Sequence, residues 1–240
     1  MDFNIINFVN SIEANEDEKF VGNLIAKYPS VFSDKIGKLK NHLVKIHVNR
    51  NVKPIRQKRR PTPIHLRPGI EKAIKQMLEN DVIETVDGPT PWVSPIVPIV
   101  KNSEEIRICT DAKLVNTAIM REIHHTPTIE ELATELNGAK IISKLDLRSA
   151  YNQLELDPDC RDITVFSTHV GLYRYKRLNF GISSASEEFQ KTIESIIRNI
   201  PKVRNISDDI IVFGDNEEDH DKNLHQVLQR LEENGLTLNA

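Results

Sequence analysis

Three carboxylates stand where an apolar strand should not carry them. Asp208 and Asp209 are adjacent, between Val203-Arg204-Asn205-Ile206 and Ile210-Ile211-Val212-Phe213. Neighbouring acids repel and are poor strand formers. A hairpin turn accounts for an Asp pair on its own. The apolar flanks shift the weighing, because they set the turn at the end of a buried hairpin, where a divalent cation would offset clustered acids. Asp146 is the second anomaly. It follows Ile141-Ile142-Ser143-Lys144-Leu145 with no turn residue between, and its plain reading is a cap for the next segment. A strand-borne Asp plus a hairpin Asp pair in one mixed chain fits two-metal phosphoryl transfer. In that chemistry two hard cations sit about 3.5–4 Å apart and stabilise the attacking and leaving oxygens.

The elements that must position these acids read as follows. Phe20, Leu24, Ile25 and Tyr28 have helical spacing, ended by Pro29. Residues 38–67 read as extended and irregular, with prolines at 54, 61 and 63. Ile70, Ile74, Met77 and Leu78 predict an amphipathic helix over 69–80. Residues 94–100 and 106–110 predict a hairpin, and Thr126 and Pro127 predict a helix start with Gly138 past its end. A buried strand is expected over 141–147, and strands over 163–168 and 172–176 about Gly171. The stripe from Phe189 to Ile200 reads as a helix stopped by Pro201. Strands over 203–207 and 210–213 meet tightly at Asp208-Asp209. A last helix carries Leu224, Val227, Leu228 and Leu231, Gly235 stops it, and another strand begins at 236–239.

Composition narrows the classes. Of 240 residues, 39% are apolar and 28% charged, which supplies a real core. Two cysteines, Cys109 and Cys160, cannot build a disulfide framework or a four-ligand zinc site, and they fit a reducing setting. The amino terminus has no secretory pattern, and no run reaches the ~18 apolar residues of a membrane span. The net charge of −3 hides an asymmetry: residues 50–67 carry seven cations and no acid. Such a block is a candidate polyanion contact or a solvated loop. Acids at 215–221 suit a helix amino terminus.

Four ordered blocks carry a resemblance. They are 92–101 with 106–111 and 114–116; Ser143-Lys144-Leu145-Asp146-Leu147-Arg148-Ser149-Ala150-Tyr151-Asn152-Gln153; Leu178-Asn179-Phe180-Gly181 through Phe189-Gln190; and Asn205-Ile206-Ser207-Asp208-Asp209 through Gly214. Over about 32–239 the chain resembles the reverse transcriptase of Gypsy-type LTR retrotransposons, close to retroviral polymerases. Phe180 favours the retrotransposon branch, since retroviral enzymes usually have Gln there. Ile206 departs from the family's usual Tyr, and Asn179 and Ser186 stand where many relatives have Pro.

The resemblance implies an α+β fold: polymerase right-hand fingers and palm, with an antiparallel palm sheet flanked by helices, ending before the thumb. Residues 1–40 are expected as an N-terminal connector and 41–240 as fingers and palm, with fingers roughly 61–140 and part of 160–200. It implies RNA-directed DNA polymerase activity within a Pol polyprotein. Asp146, Asp208 and Asp209 are the implied catalytic acids and metal ligands, with the backbone carbonyl of Leu147 completing the shell. Two Mg²⁺ ions are implied, with Mn²⁺ as the alternative. Lys101, Arg107, Tyr151 and Phe180 are implied contacts of the incoming deoxynucleoside triphosphate (dNTP). Arg107 would present a planar fork to phosphate, and Tyr151 would exclude a ribose 2′-hydroxyl. Read without the family, Lys101 and Arg107 are exposed strand cations and Tyr151 a core aromatic. Expected partners are an RNA or DNA template with primer and other Pol regions (ribonuclease H, integrase, protease), with no membrane. The expected setting is the cytoplasm, in a virus-like particle, with the nucleus as the alternative. Two other readings stay open: a non-catalytic nucleic-acid-binding remnant of such an element, and a nucleotide cyclase with a related palm. The fingers block and Phe180-Gly181 oppose the cyclase, and intact acids oppose the remnant.

Overall fold

The computed structural model describes residues 14–102, 105–122 and 129–239. In chain order the regular elements are α1 (Ala14–Lys27), α2 (Arg67–Glu79), β1 (Ile83–Thr85), β2 (Ser94–Asn102), β3 (Glu105–Thr110), α3 (Ile129–Glu135) and β4 (Ile141–Asp146). β5 (Phe166–Ser167), β6 (Leu172–Tyr175), α4 (Ala185–Ile197), β7 (Val203–Ile206), β8 (Asp209–Gly214) and α5 (Glu217–Asn234) follow. They form two sheets: five strands in the order β1-β6-β5-β2-β3, and three antiparallel strands in the order β4-β8-β7.

The three-stranded sheet carries the acids, and its alternation explains how. Leu145, Ile210 and Asn205 are register partners, as are Ser143, Val212 and Val203. These residues face α4 and α5, which pack on this sheet. The other phase places Lys144, Asp146, Asp209, Ile211 and Ile206 on the opposite, open face. The expectation of a buried strand over 141–147 is therefore corrected. β4 alternates between half-buried and exposed, because it is an edge strand and, among the described residues, helices cover one side of it. Its covered face is fixed by His220 of α5, which is buried and whose Nε2 lies 2.9 Å from Ser143 Oγ. Gly214 permits that contact, since a Cβ there would lie 2.6 Å from the backbone nitrogen of His220.

α2 buries Ile70 and Ile74, as the stripe over 69–80 predicts. α5 opens on Asn216, whose side chain accepts from Asp219 N, and holds Glu217, Glu218 and Asp219 in its first turn. It ends at Gly235, which adopts φ 74°. Two expected strands differ. Over 163–168 the chain forms a 3₁₀ turn, Pro158–Thr164, before the two residues of β5. Asp157 caps that turn through Asp159 N, and Pro158 presets its first φ. Residues 236–239 are extended but make a single bridge, Leu147 to Leu238, instead of a ladder. Thr126 and Pro127, the expected start of α3, lie outside the described residues.

One apolar core joins both sheets, drawing Ile70, Phe166, Phe189, Ile210 and Leu228 into the same cluster. The stretch expected as a connector enters it too. Leu24, Tyr28, Val31 and Leu39 are buried there, and Leu238 N bonds to Val31 O at 2.8 Å. Among the described residues no helix is long and apolar enough to cross a membrane. Both cysteines are free.

Candidate active site

Asp146 closes β4 and Asp209 opens β8, and the two are directly paired across the ladder. Asp208 sits in the turn between β7 and β8, next to Ser207, which adopts φ 52°. A left-handed non-glycine residue is costly unless its surroundings hold it. Asn205 does so here. Its buried side-chain amide donates to Ser207 O at 3.1 Å and to Asp209 O at 3.0 Å. Gln190 of α4 in turn donates to Asn205 O at 2.7 Å.

The Asp146 side of the site is pinned as firmly. Leu147 N bonds to Asp208 O at 3.3 Å, and Asn239 N to Asp146 O at 2.9 Å. Gln153, fully buried, donates to Arg148 O and Thr237 O and accepts from Thr237 N, all within 2.8 Å. Asn205, Gln190 and Gln153 were legible as parts of the sequence blocks, but nothing in their types announced these roles.

The three carboxyls have different surroundings. Asp209 Oδ2 lies 2.9 Å from Lys144 Nζ. Asp146 Oδ2 accepts from the Asn239 side chain at 2.8 Å. Asp208 is half-buried, and burial first, then repulsion by Asp209 and Asp146, push its carboxyl above the ordinary range, while Arg107 pulls it back. Lys144 is pushed up, chiefly by its hydrogen bond to Asp209. Among the described residues no three acid, His or Cys side chains converge as a ready metal cage. The donor set still fits a hard divalent ion. The mutual repulsion at Asp208 is the excess negative charge such an ion offsets, and Mg²⁺ is ordinarily bound by one or two carboxylates plus substrate phosphates.

A second group of predicted residues is brought alongside. The guanidinium carbon of Arg107, on β3, lies 4.4 Å from the ring centroid of Phe180, a cation–π contact. Phe180 meets Tyr151 edge-on, with centroids 4.4 Å apart. Tyr151 rests on Phe189 at 5.0 Å, and its hydroxyl points to Ser186 Oγ at 3.4 Å. Burial, and to a lesser degree the charges of Asp208 and Glu187, hold the Tyr151 phenol above its usual range. The loop bearing Phe180 is clamped by Asn116, which donates to Gly181 O at 2.8 Å and accepts from Ser183 N at 3.0 Å. Gly181 itself adopts φ 95°, the left-handed region that favours glycine. Lys101 lies in β2, but its side chain falls outside the described residues.

Residues 99–240 match the sequence profile of the family described as reverse transcriptase (RNA-dependent DNA polymerase). The chain belongs to the reverse transcriptase family. It is 31% identical over 237 residues to the uncharacterized protein K02A2.6 of Caenorhabditis elegans, covering 97% of this chain and 18% of that protein. It is also 31% identical over 229 residues to the retrovirus-related Pol polyprotein from transposon opus of Drosophila melanogaster, covering 92% and 23%. To the corresponding polyprotein from transposon gypsy of the same fly it is 29% identical over 186 residues, covering 74% and 18%. The chain thus spans about a fifth of the length of these curated relatives. Among solved structures it resembles prototype foamy virus protease-reverse transcriptase, with TM-score 0.85 and 21% identity, over 95% of this chain and 31% of that one. The foamy viral enzyme in complex with an RNA/DNA hybrid gives TM-score 0.83 and 23% identity, with the same coverage. The α+β fold is therefore that of reverse transcriptase fingers and palm, as the four sequence blocks imply.

Proposed function

We propose that this domain catalyses templated DNA synthesis from dNTPs on an RNA or DNA template. The primer 3′-hydroxyl attacks the α-phosphate, and pyrophosphate leaves. One juxtaposition carries this reading: Asp208, in the turn next to the paired Asp146 and Asp209, lies in Coulombic reach of Arg107 and Tyr151, which Phe180 joins by ring contacts. Asp146 and Asp208, with the Leu147 carbonyl and Asp209 beside them, would hold Mg²⁺ or Mn²⁺. Bound there, the ions supply charge neutralisation at the attacking and leaving oxygens. Arg107 offers its fork to the triphosphate, the exposed edge of Phe180 underlies the sugar, and the buried Tyr151 closes the space a 2′-hydroxyl needs. Lys101 is a further triphosphate contact by family position.

Residues 61–140 and part of 160–200 then act as fingers, with the rest of 41–240 as palm. On the same reading the domain works within a Pol polyprotein alongside ribonuclease H, integrase and protease regions, in a cytoplasmic particle or the nucleus. The test is primer extension by the full chain on RNA and on DNA templates, with and without Mg²⁺. Template-directed, Mg²⁺-dependent addition supports the reading. One observation favours a binding-only role, the engagement of Asp209 by Lys144. Template binding without any nucleotide addition would establish that second role and overturn the first.

A further inference from the structure

Lys144 projects from β4 two residues before Asp146, on the same open face of the sheet. Its ammonium lies 2.9 Å from Asp209 Oδ2 and within Coulombic reach of Asp146. Its side chain is 62% exposed, so it is free to swing outward, whereas Asp209 is 30% exposed and fixed by the ladder. An exposed ion pair is weak and exchangeable. A divalent ion at Asp209 would meet a like charge a few ångströms away unless the ammonium left.

We propose that Lys144 is a tethered counter-ion: it occupies the cation position beside Asp209 in the ion-free domain and must be displaced when a divalent ion binds. Lys144 thereby sets the divalent-ion affinity of the site without touching substrate. This rests on the metal role of the acids proposed above. In the ion-free state the ammonium relieves repulsion among Asp146, Asp208 and Asp209, and the divalent ion then has to compete with it.

The test is Mn²⁺ binding to the full chain, read as loss of the free-ion electron paramagnetic resonance signal, with no nucleotide or template present. Lys144→Gln is expected to tighten Mn²⁺ binding about 2- to 5-fold, the factor an exposed ion pair supplies. Lys144→Arg is expected to match the parent, and the Gln effect is expected to shrink as salt rises. Asp208→Asn is the control for the site itself. Mn²⁺ binding lost in Asp208→Asn, with equal affinities in the parent and both Lys144 variants, overturns the counter-ion role alone. Weaker binding in Lys144→Gln also overturns it, since the lysine would then be supporting the site. Unchanged binding in Asp208→Asn overturns the metal assignment and this inference with it.

Discussion

Asp208 has the least favourable surroundings of the three acids, and that makes its replacement informative twice over. Burial and two like charges hold its carboxyl above the ordinary range. The protonated form is therefore favoured by the fold: that stabilisation is complete below the unfolded carboxylate's pKa and disappears as pH rises through the folded value. At neutral pH the ionised Asp208 opposes folding. Asp208→Asn is expected to raise the melting temperature in EDTA at pH 7, by about 2–4 °C for each kcal/mol gained in a chain of this size. The advantage is expected to vanish in melts below about pH 4. A lower melting temperature at pH 7 would show that Asp208 is not destabilised as its neighbours imply. Tyr151 is checked by sugar choice. Tyr151→Ala is expected to raise ribonucleotide use relative to deoxyribonucleotide use, at a stability loss of about 3 kcal/mol or more for a buried aromatic. Tyr151→Phe is expected to keep both, because the hydroxyl makes one long contact. Unchanged discrimination in an active Tyr151→Ala protein would leave Tyr151 a core residue only. At this scale the acids were legible from charge set in apolar strands. The roles proposed for Arg107, Phe180 and Tyr151 come from the family resemblance alone, while the structure shows their mutual contact. No periodicity predicts that a guanidinium, a phenyl ring and a phenol from three separate blocks will stack.

The hairpin of β7 and β8 is the element that aims the acids, and Asn205 is what shapes its turn. Removing that amide leaves Ser207 O and Asp209 O without their internal donor and frees a left-handed serine. Asn205→Ala is expected to lower stability by about 2 kcal/mol, read from urea denaturation, and to reduce nucleotide addition more than template binding. A variant with parental stability and activity would show that the turn holds its own shape. Helices α2, α4 and α5 were readable from apolar stripes with clear stops. The paired strands β7 and β8 were readable from two apolar runs about one acidic turn. What misled was local: the run over 163–168 begins inside a capped 3₁₀ turn and leaves only Phe166–Ser167 as strand, because Asp157 and Pro158 act before β propensity does. The apolar content of β4 hid its edge position, which depends on strand order and not on composition.

For the molecule as a whole, the basic stretch 50–67 is largely exposed, and within it Arg56 bridges to Val93, just before β2. Arg60 is engaged by Asp111. Neutralising Arg56, Lys58 and Arg59 together is expected to weaken duplex binding and to reduce the salt slope by about 0.9 for each phosphate the protein no longer neutralises. Adding the Arg60 substitution is expected to change the slope less, since its charge is already met. Titrations at several salt concentrations check this, and an unchanged slope would place the stretch away from nucleic acid. The asymmetry of charge was plain in the sequence. That residues from Leu24 onward are built into the same core was not, because burial there depends on packing against α5 and the segment after it, some two hundred residues away.

Catalysis of templated synthesis by Asp146, Asp208 and Asp209 is checked by single-nucleotide addition to a primed RNA template, with the full chain in excess and Mg²⁺ present. The parent is expected to add the complementary dNTP. Asp208→Asn and Asp146→Asn are expected to add it at least ~100-fold more slowly, with both variants still folded and still binding the primed template. Addition by either variant at the parental rate would show that these acids are not catalytic.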